Sequence, residues 1–199
     1  DSNLGLLLCR VRGDEDGAEL WWRRAGEAGH VRSMVALADL FFTRGTKDGA
    51  QRWYRRAAEA GDAEAAFGMA VLHADRGESV QARLWYKRAA DGGDLRAMSN
   101  LASHHAIRGD PDTEMYWWRR AAEAGDATAA YNLAICLAGR SDVVEALYWY
   151  QLAAEAGHLE AATNLGIMLA QRGDPAGAES WLRQAAEGGS TNGITNFRV

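Results

Sequence analysis

The chain has 199 residues, of which 48% are hydrophobic and 25% are charged, a composition typical of a globular protein. Its net charge of −5 argues against a nucleic-acid partner, because phosphate contacts need a basic surface. No stretch approaches 18 uninterrupted apolar residues, so we expect no transmembrane helix and no membrane partner.

Tryptophan recurs at a constant interval of 32 residues along the chain. In each unit an alanine follows the tryptophan after four residues, and a glycine follows it after eight. A fixed period in this range indicates an array of structural repeats. The tryptophan positions are Trp21, Trp53, Trp85, Trp117, Trp149 and Trp181.

Each unit is predicted to contain two helices. In the unit that follows Trp53, the first helix runs over about residues 63–75, with Asp62 as N-cap and Gly77 as stop. The second helix starts near Ser79 and continues to Ala90. Two later units begin their second helix with Asp-Pro, at 110–111 and 174–175, a strong helix-start signal.

Short turns between helices of this length make the two helices antiparallel, and a single hairpin cannot bury its own apolar face. We therefore predict an all-α, right-handed superhelical solenoid of antiparallel helix pairs, with about six 32-residue units in one domain over 1–199. Residues 3–12 and 191–199 look like incomplete first helices, and no polar capping helix is evident. We expect a segment of a longer array or of a larger protein.

The residues also resemble a known family. Ala-Ala-Glu-Ala-Gly-Asp-Ala-Glu-Ala-Ala at 57–66, followed by Trp-Tyr-Lys-Arg-Ala-Ala at 85–90, resembles the Sel-one-like repeat, a relative of the tetratricopeptide repeat. Leu133-Ala134 matches the tetratricopeptide pattern of the first helix. The unit departs from that pattern in being 32 rather than about 34 residues long and in lacking the closing proline. The resemblance implies that first helices line a concave surface.

Asparagine recurs in one column of the first helices, seventeen residues before the tryptophan. An amide offers both a donor and an acceptor, so a row of them can pair with the backbone of an extended peptide. The column resembles the asparagine ladder for which some tetratricopeptide proteins are known. The alternative is a packing role, in which the amide bonds a carbonyl on the neighbouring hairpin. The column contains Asn100, Asn132 and Asn164, with Asn196 one period further and Ala36 and Gly68 in earlier units.

Neighbouring first-helix columns are expected to set specificity. Charges in the column four residues before the asparagine alternate in sign, so no simple acidic or basic ligand is implied. These columns are more apolar in the C-terminal half of the chain, and we expect the peptide to bind there. The candidate peptide-binding residues beside the asparagines are Arg96, Ser103, Thr128, Tyr131, Ile135 and Ile167.

Three other patterns are interpreted structurally. Basic pairs after the tryptophan, such as Lys87-Arg88, precede an acidic residue by one helical turn and are expected to form ion pairs within the helix. His104 and His105 are adjacent, point about 100° apart on a helix, and are expected to pack rather than to bind a metal. The Arg-Gly-Asp triplets at 12–14, 108–110 and 172–174 are expected to be helix junctions.

No phosphate loop, nucleophile motif or metal motif is present in the sequence, so we expect a non-enzymatic protein without cofactors. Cys9 and Cys136 lie on different repeats, and two unpaired thiols favour a reducing, cytoplasmic compartment. The predicted function is an interaction scaffold that holds a peptide or partner segment in its groove. The alternative is a sensor or autoinhibitory repeat domain of a larger signalling or transcription-regulatory protein.

Overall fold

The computed structural model describes residues 14–190, and within them it contains eleven α-helices of thirteen residues each and no β-strand. The second helix of a repeat carries the tryptophan, and the first helix precedes it. The helices are α1 (Glu15–Glu27), α2 (Val31–Thr43), α3 (Lys47–Glu59), α4 (Ala63–Asp75), α5 (Ser79–Asp91), α6 (Leu95–Ile107), α7 (Pro111–Glu123), α8 (Ala127–Gly139), α9 (Val143–Glu155), α10 (Leu159–Gln171) and α11 (Pro175–Glu187).

Helices pack in the order expected of stacked hairpins. Within repeats, α2 packs on α3, α4 on α5, α8 on α9 and α10 on α11. Second helices also pack on the first helix of the following repeat, as α3 does on α4 and α9 does on α10. The predicted all-α array of helix pairs is therefore confirmed, and α4 has the predicted bounds. The incomplete helices predicted at 3–12 and 191–199, together with Asn196, lie outside the described residues.

The chain divides into two compact units, residues 1–98 and 99–199, and the boundary falls inside α6. We call their described parts the N-terminal unit and the C-terminal unit. The core of the N-terminal unit is centred on Leu37, Met69 and Leu72, and Leu133 is fully buried in the C-terminal unit. A single domain over 1–199 stays a prediction.

The tryptophan column contributes to both cores. Trp53, Trp117 and Trp149 are buried, and the alanines four residues after them are inaccessible to solvent. Trp85 and Trp181 are half-buried. This column therefore serves packing, because its rings fill the space beside the small alanine columns.

The turns confirm that the Arg-Gly-Asp triplets at 108–110 and 172–174 are helix junctions, whereas the triplet at 12–14 begins outside the described residues. Gly109 has φ +66°, a left-handed conformation that glycine adopts without strain, and it ends α6. The Asp110 carboxylate then accepts the Thr113 N–H at 3.3 Å and caps α7. Asp174 caps α11 in the same way, through the Gly177 N–H at 2.9 Å.

The basic pairs follow the prediction of intrahelical ion pairs only in part. Lys87 pairs with Asp91 at 3.0 Å, as expected. Arg119 instead pairs with Glu145 at the start of α9, so the expected pairing with the acid one turn later on α7 is wrong there. The two groups of this pair are about one-third exposed. An ion pair between hairpins competes less with water than one on an open helix face, which favours the contact between repeats.

The second residue of two basic pairs connects neighbouring repeats. The Arg88 guanidinium donates to the Ala58 carbonyl at 2.7 Å and lies 5.3 Å from the Trp85 ring centroid. Arg56 repeats the arrangement with the Gly26 carbonyl at 3.5 Å. Both carbonyls also accept a backbone N–H of the turn that follows the helix, and a cation at a helix C-terminus is favoured by the helix dipole. Arg56 and Arg88 thus serve packing between hairpins.

Replacement of Arg88 by alanine is expected to lower the free energy of unfolding by about 1 kcal/mol, because it removes a charged hydrogen bond and a cation–π contact. Replacement of Lys87 by alanine is the matched control on the adjacent position, with an expected loss below about 0.5 kcal/mol from an exposed ion pair. Urea unfolding followed by circular dichroism measures both. Equal losses in the two variants would contradict the role assigned to Arg88.

Candidate functional site

Four of the predicted binding residues of the C-terminal unit share one face of α8. Thr128, Tyr131, Asn132 and Ile135 are spaced i, i+3, i+4 and i+7 within this helix, which places their side chains side by side. Thr128 is exposed, and Ile135 keeps 42% of its surface accessible. This face of α8 therefore presents a hydroxyl, an aromatic ring, an amide and an aliphatic side chain next to one another.

Tyr131 is held between two other rings. Its ring stacks on His158 with a centroid distance of 4.4 Å and an interplanar angle of 20°, and it tilts against Tyr150 at 6.0 Å. His158 is itself the N-cap of α10, since its Nδ1 accepts the Ala161 N–H at 3.3 Å. The ring of Tyr131 is thus fixed by the residue that starts the next first helix.

The asparagine column does not behave uniformly. The Asn164 amide donates to the Tyr150 hydroxyl oxygen at 3.4 Å, and burial raises the pKa of Tyr150, so this phenol stays protonated. Asn132 is half-buried and forms no hydrogen bond within residues 14–190. Asn100 is exposed on α6. The Asn164 amide is therefore engaged between hairpins, as the packing alternative expected, although its partner is a phenol rather than a carbonyl.

The remaining predicted residues are distributed over both units. Ser103 is exposed on α6, and Ile167 is half-buried on α10, three residues after Asn164. Arg96 belongs to the N-terminal unit, where it contacts a pocket that the sequence did not single out.

This pocket is the main feature that sequence reasoning missed. It is an open cavity of about 190 Å³ formed by residues of α2, α3, α4 and α6. Several of its residues belong to predicted groove columns, but this repeat has glycine where later repeats have asparagine, so the asparagine pattern does not mark it. That glycine was the available signal. The pocket is lined by Asp39, Phe42, Tyr54, Glu64, Phe67, Gly68, Val71 and Arg96.

Gly68 allows the Tyr54 ring to form one wall of the pocket. A Cβ atom at position 68 would lie 2.7 Å from Cε1 and Cζ of that ring, closer than real contacts allow. The Tyr54 hydroxyl donates to Asp39, and burial together with this bond raises the pKa of Tyr54 far above its ordinary value. The phenol is consequently neutral and fixed in orientation.

Arg96 lies over the ring of Phe67, which also lines the pocket. Its guanidinium carbon is 4.2 Å from the centroid of Phe67. The Asp94 carboxylate accepts from Arg96 Nη2 at 2.6 Å and from Nε at 3.3 Å. The hydrogen bond to Asp94 raises the pKa of Arg96, and Glu64 and Asp39 raise it further. The only basic group of the pocket lining is thus surrounded by acidic groups.

Cys136 lies one turn after Asn132 on α8. Its thiol is half-buried and donates to a carboxylate oxygen of Glu114 at 3.4 Å. Burial, followed by the bond to Glu114, raises the pKa of Cys136 to about 12. The thiol is therefore protonated at neutral pH and is a poor nucleophile.

Family profiles match most of the chain. The Sel1 repeat profile matches residues 4–30, 96–126 and 127–158, and tetratricopeptide repeat profiles match residues 35–95 and 159–184. The chain belongs to the Sel1 and tetratricopeptide repeat proteins. No curated protein sequence matches it.

Solved structures place this repeat protein among solenoids. It is similar to c5321 of uropathogenic Escherichia coli, described as a protective antigen with an SLR fold, at 25% identity and a TM-score of 0.85, covering 98% of this chain. It spans 47% of that protein, about half of its length. A Sel1 repeat protein of Oxalobacter formigenes matches at 25% identity and a TM-score of 0.68, over 94% of this chain and 86% of the other.

The tetratricopeptide protein YrrB has the same fold at 19% identity and a TM-score of 0.57, over 89% of this chain and 98% of YrrB. Sel1 and tetratricopeptide repeats are generally protein-interaction scaffolds, and the expected scaffold class agrees with this. None of the helices within residues 14–190 is both long and apolar enough to cross a bilayer.

Replacement of Gly68 by alanine in this repeat protein is expected to lower the free energy of unfolding by about 1–3 kcal/mol, because the added methyl group displaces the Tyr54 ring. Gly139 is the control, since no atom lies within 4 Å of a Cβ built there. Alanine at 139 is expected to be neutral or slightly stabilising. Chemical denaturation measures both, and equal effects would refute the close contact.

Cys136 is expected to react with iodoacetamide at least about a hundredfold more slowly than free cysteine at pH 8.5, because its raised pKa leaves almost no thiolate. A Cys9→Ser background isolates this thiol. Glu114→Gln is expected to increase the rate by removing the adjacent negative charge. A rate equal to that of free cysteine would contradict the assignment.

Proposed function

We propose that this chain is an interaction module that binds an extended segment of a partner protein along the first-helix face of its C-terminal unit. The observation that carries the proposal is the state of Asn132. This half-buried amide has no hydrogen-bond partner within residues 14–190 and lies beside the fixed ring of Tyr131. Asparagine is a poor helix former, so an amide without a partner here brings the fold no evident gain.

The neighbourhood of Asn132 supports a peptide rather than a small polar ligand. An amide can donate to a peptide carbonyl and accept from the next peptide N–H. Tyr131 and the exposed Ile135 supply apolar area on either side, which suits the side chains of an extended segment. Because His158 and Tyr150 already hold Tyr131, its ring loses little freedom on binding.

Two further observations extend the proposed site. Asn164 uses one N–H toward Tyr150, which leaves its carbonyl oxygen available to a second peptide group. YrrB, which shares this fold, is described as a tetratricopeptide protein with an unusual peptide-binding site. The similarity supports the idea that stacked hairpins of this type present peptide sites.

The test begins with a random peptide library displayed on phage and selected against the full chain. Replacement of both Asn132 and Asn164 by alanine is expected to weaken the selected peptides at least about tenfold, since each lost hydrogen bond contributes about 0.5–1.5 kcal/mol. Gln151→Ala is the control, because this exposed amide on α9 bonds only Glu155 of its own helix, at 2.8 Å. Calorimetric titration gives the affinities, and circular dichroism checks the fold.

Methylation of the peptide backbone provides an independent measurement. If the amides read main-chain groups, a single N-methyl group opposite Asn132 is expected to abolish binding, whereas a changed side chain at the same peptide position is tolerated. Unchanged affinity in the double alanine variant, or a library that enriches no peptide, would refute the proposal.

A further inference from the structure

The pocket of the N-terminal unit has an excess of negative charge. Asp39 is exposed, its carboxylate accepts from the neutral Tyr54 hydroxyl, and it makes no ion pair within the described residues. Glu64 keeps 62% of its side chain exposed, and its closest cation, Arg96, is 4.0 Å away. Two carboxylates at the mouth of the pocket are therefore incompletely neutralised.

Arg96 does not cancel this charge. Its guanidinium is bound by Asp94, a carboxylate with only 6% of its side chain exposed. Asp94 also caps α6 by accepting the Ala97 N–H at 3.0 Å, so the carboxylate is fixed in place. Together with Asp94, the pocket has three carboxylates against one guanidinium. An anionic ligand would meet repulsion from Asp39 and Glu64, whereas a cation would be attracted by both.

The walls of the pocket are apolar. Tyr54 and Phe42 present rings, and Val71 adds an aliphatic surface one turn after Phe67 and Gly68. A volume of about 190 Å³ corresponds to roughly six water molecules at about 30 Å³ each. A long side chain with an apolar stem and a cationic end matches this combination, because the stem covers the rings while the charged end reaches the carboxylates.

We propose that this pocket binds a basic side chain, arginine or lysine, of a polypeptide partner. The inference rests on the proposed function in one respect, namely that the partner is a polypeptide. It concerns different residues in a different unit. The carboxylates of Asp39 and Glu64 neutralise the cation, and the Tyr54 and Phe42 rings hold its stem. The Tyr54 hydroxyl fixes the orientation of Asp39, so the site is formed before the ligand arrives.

The probe is the capped pentapeptide Ac-Gly-Gly-Arg-Gly-Gly-NH2, titrated into the isotopically labelled full chain and followed by nuclear magnetic resonance. Saturable shifts are expected at the backbone amides of Gly68 and Val71. The same peptide with citrulline, which has the shape of arginine without its charge, is expected to bind at least about tenfold more weakly. Equal binding of the two peptides, tighter binding of a glutamate analogue, or shifts confined to other regions would overturn the inference.

Two pairs of substitutions locate the effect. Asp39→Asn combined with Glu64→Gln keeps an acceptor for the Tyr54 hydroxyl and is expected to reduce arginine-peptide affinity to the citrulline level. Glu27→Gln combined with Glu59→Gln removes the same charge from exposed helix ends in the same unit and is expected to leave affinity unchanged. Equal losses in both variants would show a non-specific attraction and overturn the pocket. Thermal unfolding verifies that each variant is folded.

The two proposals fail separately. The pentapeptide titration does not involve Asn132 or Asn164, so their double alanine variant is expected to bind the arginine peptide like the wild type. If display peptides bind that variant normally while the arginine and citrulline peptides still differ at Gly68, the asparagine site is refuted and the pocket stands. If the display peptides lose affinity for that variant while the arginine and citrulline peptides bind the chain equally, the pocket is refuted and the asparagine site stands.

Discussion

Each hairpin in this chain buries its apolar face only against the neighbouring hairpins, and the aromatic residue after the repeat tryptophan is where they meet. Tyr150 contacts Tyr131 of its own repeat and Asn164 of the next. Tyr54 bonds Asp39 of its own repeat and lies against Gly68 of the next. Packing and the candidate sites therefore depend on the same ring, which is buried in both units.

This shared ring explains why one column of the first helices has different roles. The position opposite the ring determines what space remains beside it. Glycine at 68 lets the ring of Tyr54 approach the helix and shape the wall of a pocket, whereas asparagine at 164 fills the space and bonds the phenol. The residue type in this column thus decides whether the space beside the ring is part of a cavity or is filled by a polar contact. Different residues at this column therefore give different surfaces on the same type of helix pair.

The charged residues divide in a similar way between stability and recognition. Arg88 is used to join repeats, since its guanidinium reaches a helix-end carbonyl of the preceding hairpin. Arg96 is held by Asp94 against Phe67 and shapes the pocket. Asp39 makes no ion pair within the described residues and Glu64 reaches Arg96 only at 4.0 Å, so the carboxylates of the pocket outnumber its one guanidinium.

Much of the fold was determined by the sequence alone, because a fixed period of tryptophan, alanine and glycine imposes the same hairpin on every unit. The bounds of α4, the Asp-Pro helix starts and the packing role of Trp53, Trp117 and Trp149 follow from local rules of capping and spacing. Only the tertiary structure decided the partners of long side chains. Arg119 pairs with Glu145 of another helix rather than with an acidic residue of its own helix. Asn164 donates to the Tyr150 hydroxyl, and the Tyr54 ring lies against Gly68. These contacts join residues 14 to 26 positions apart, and their choice depends on how adjacent hairpins pack, which a periodic pattern does not specify.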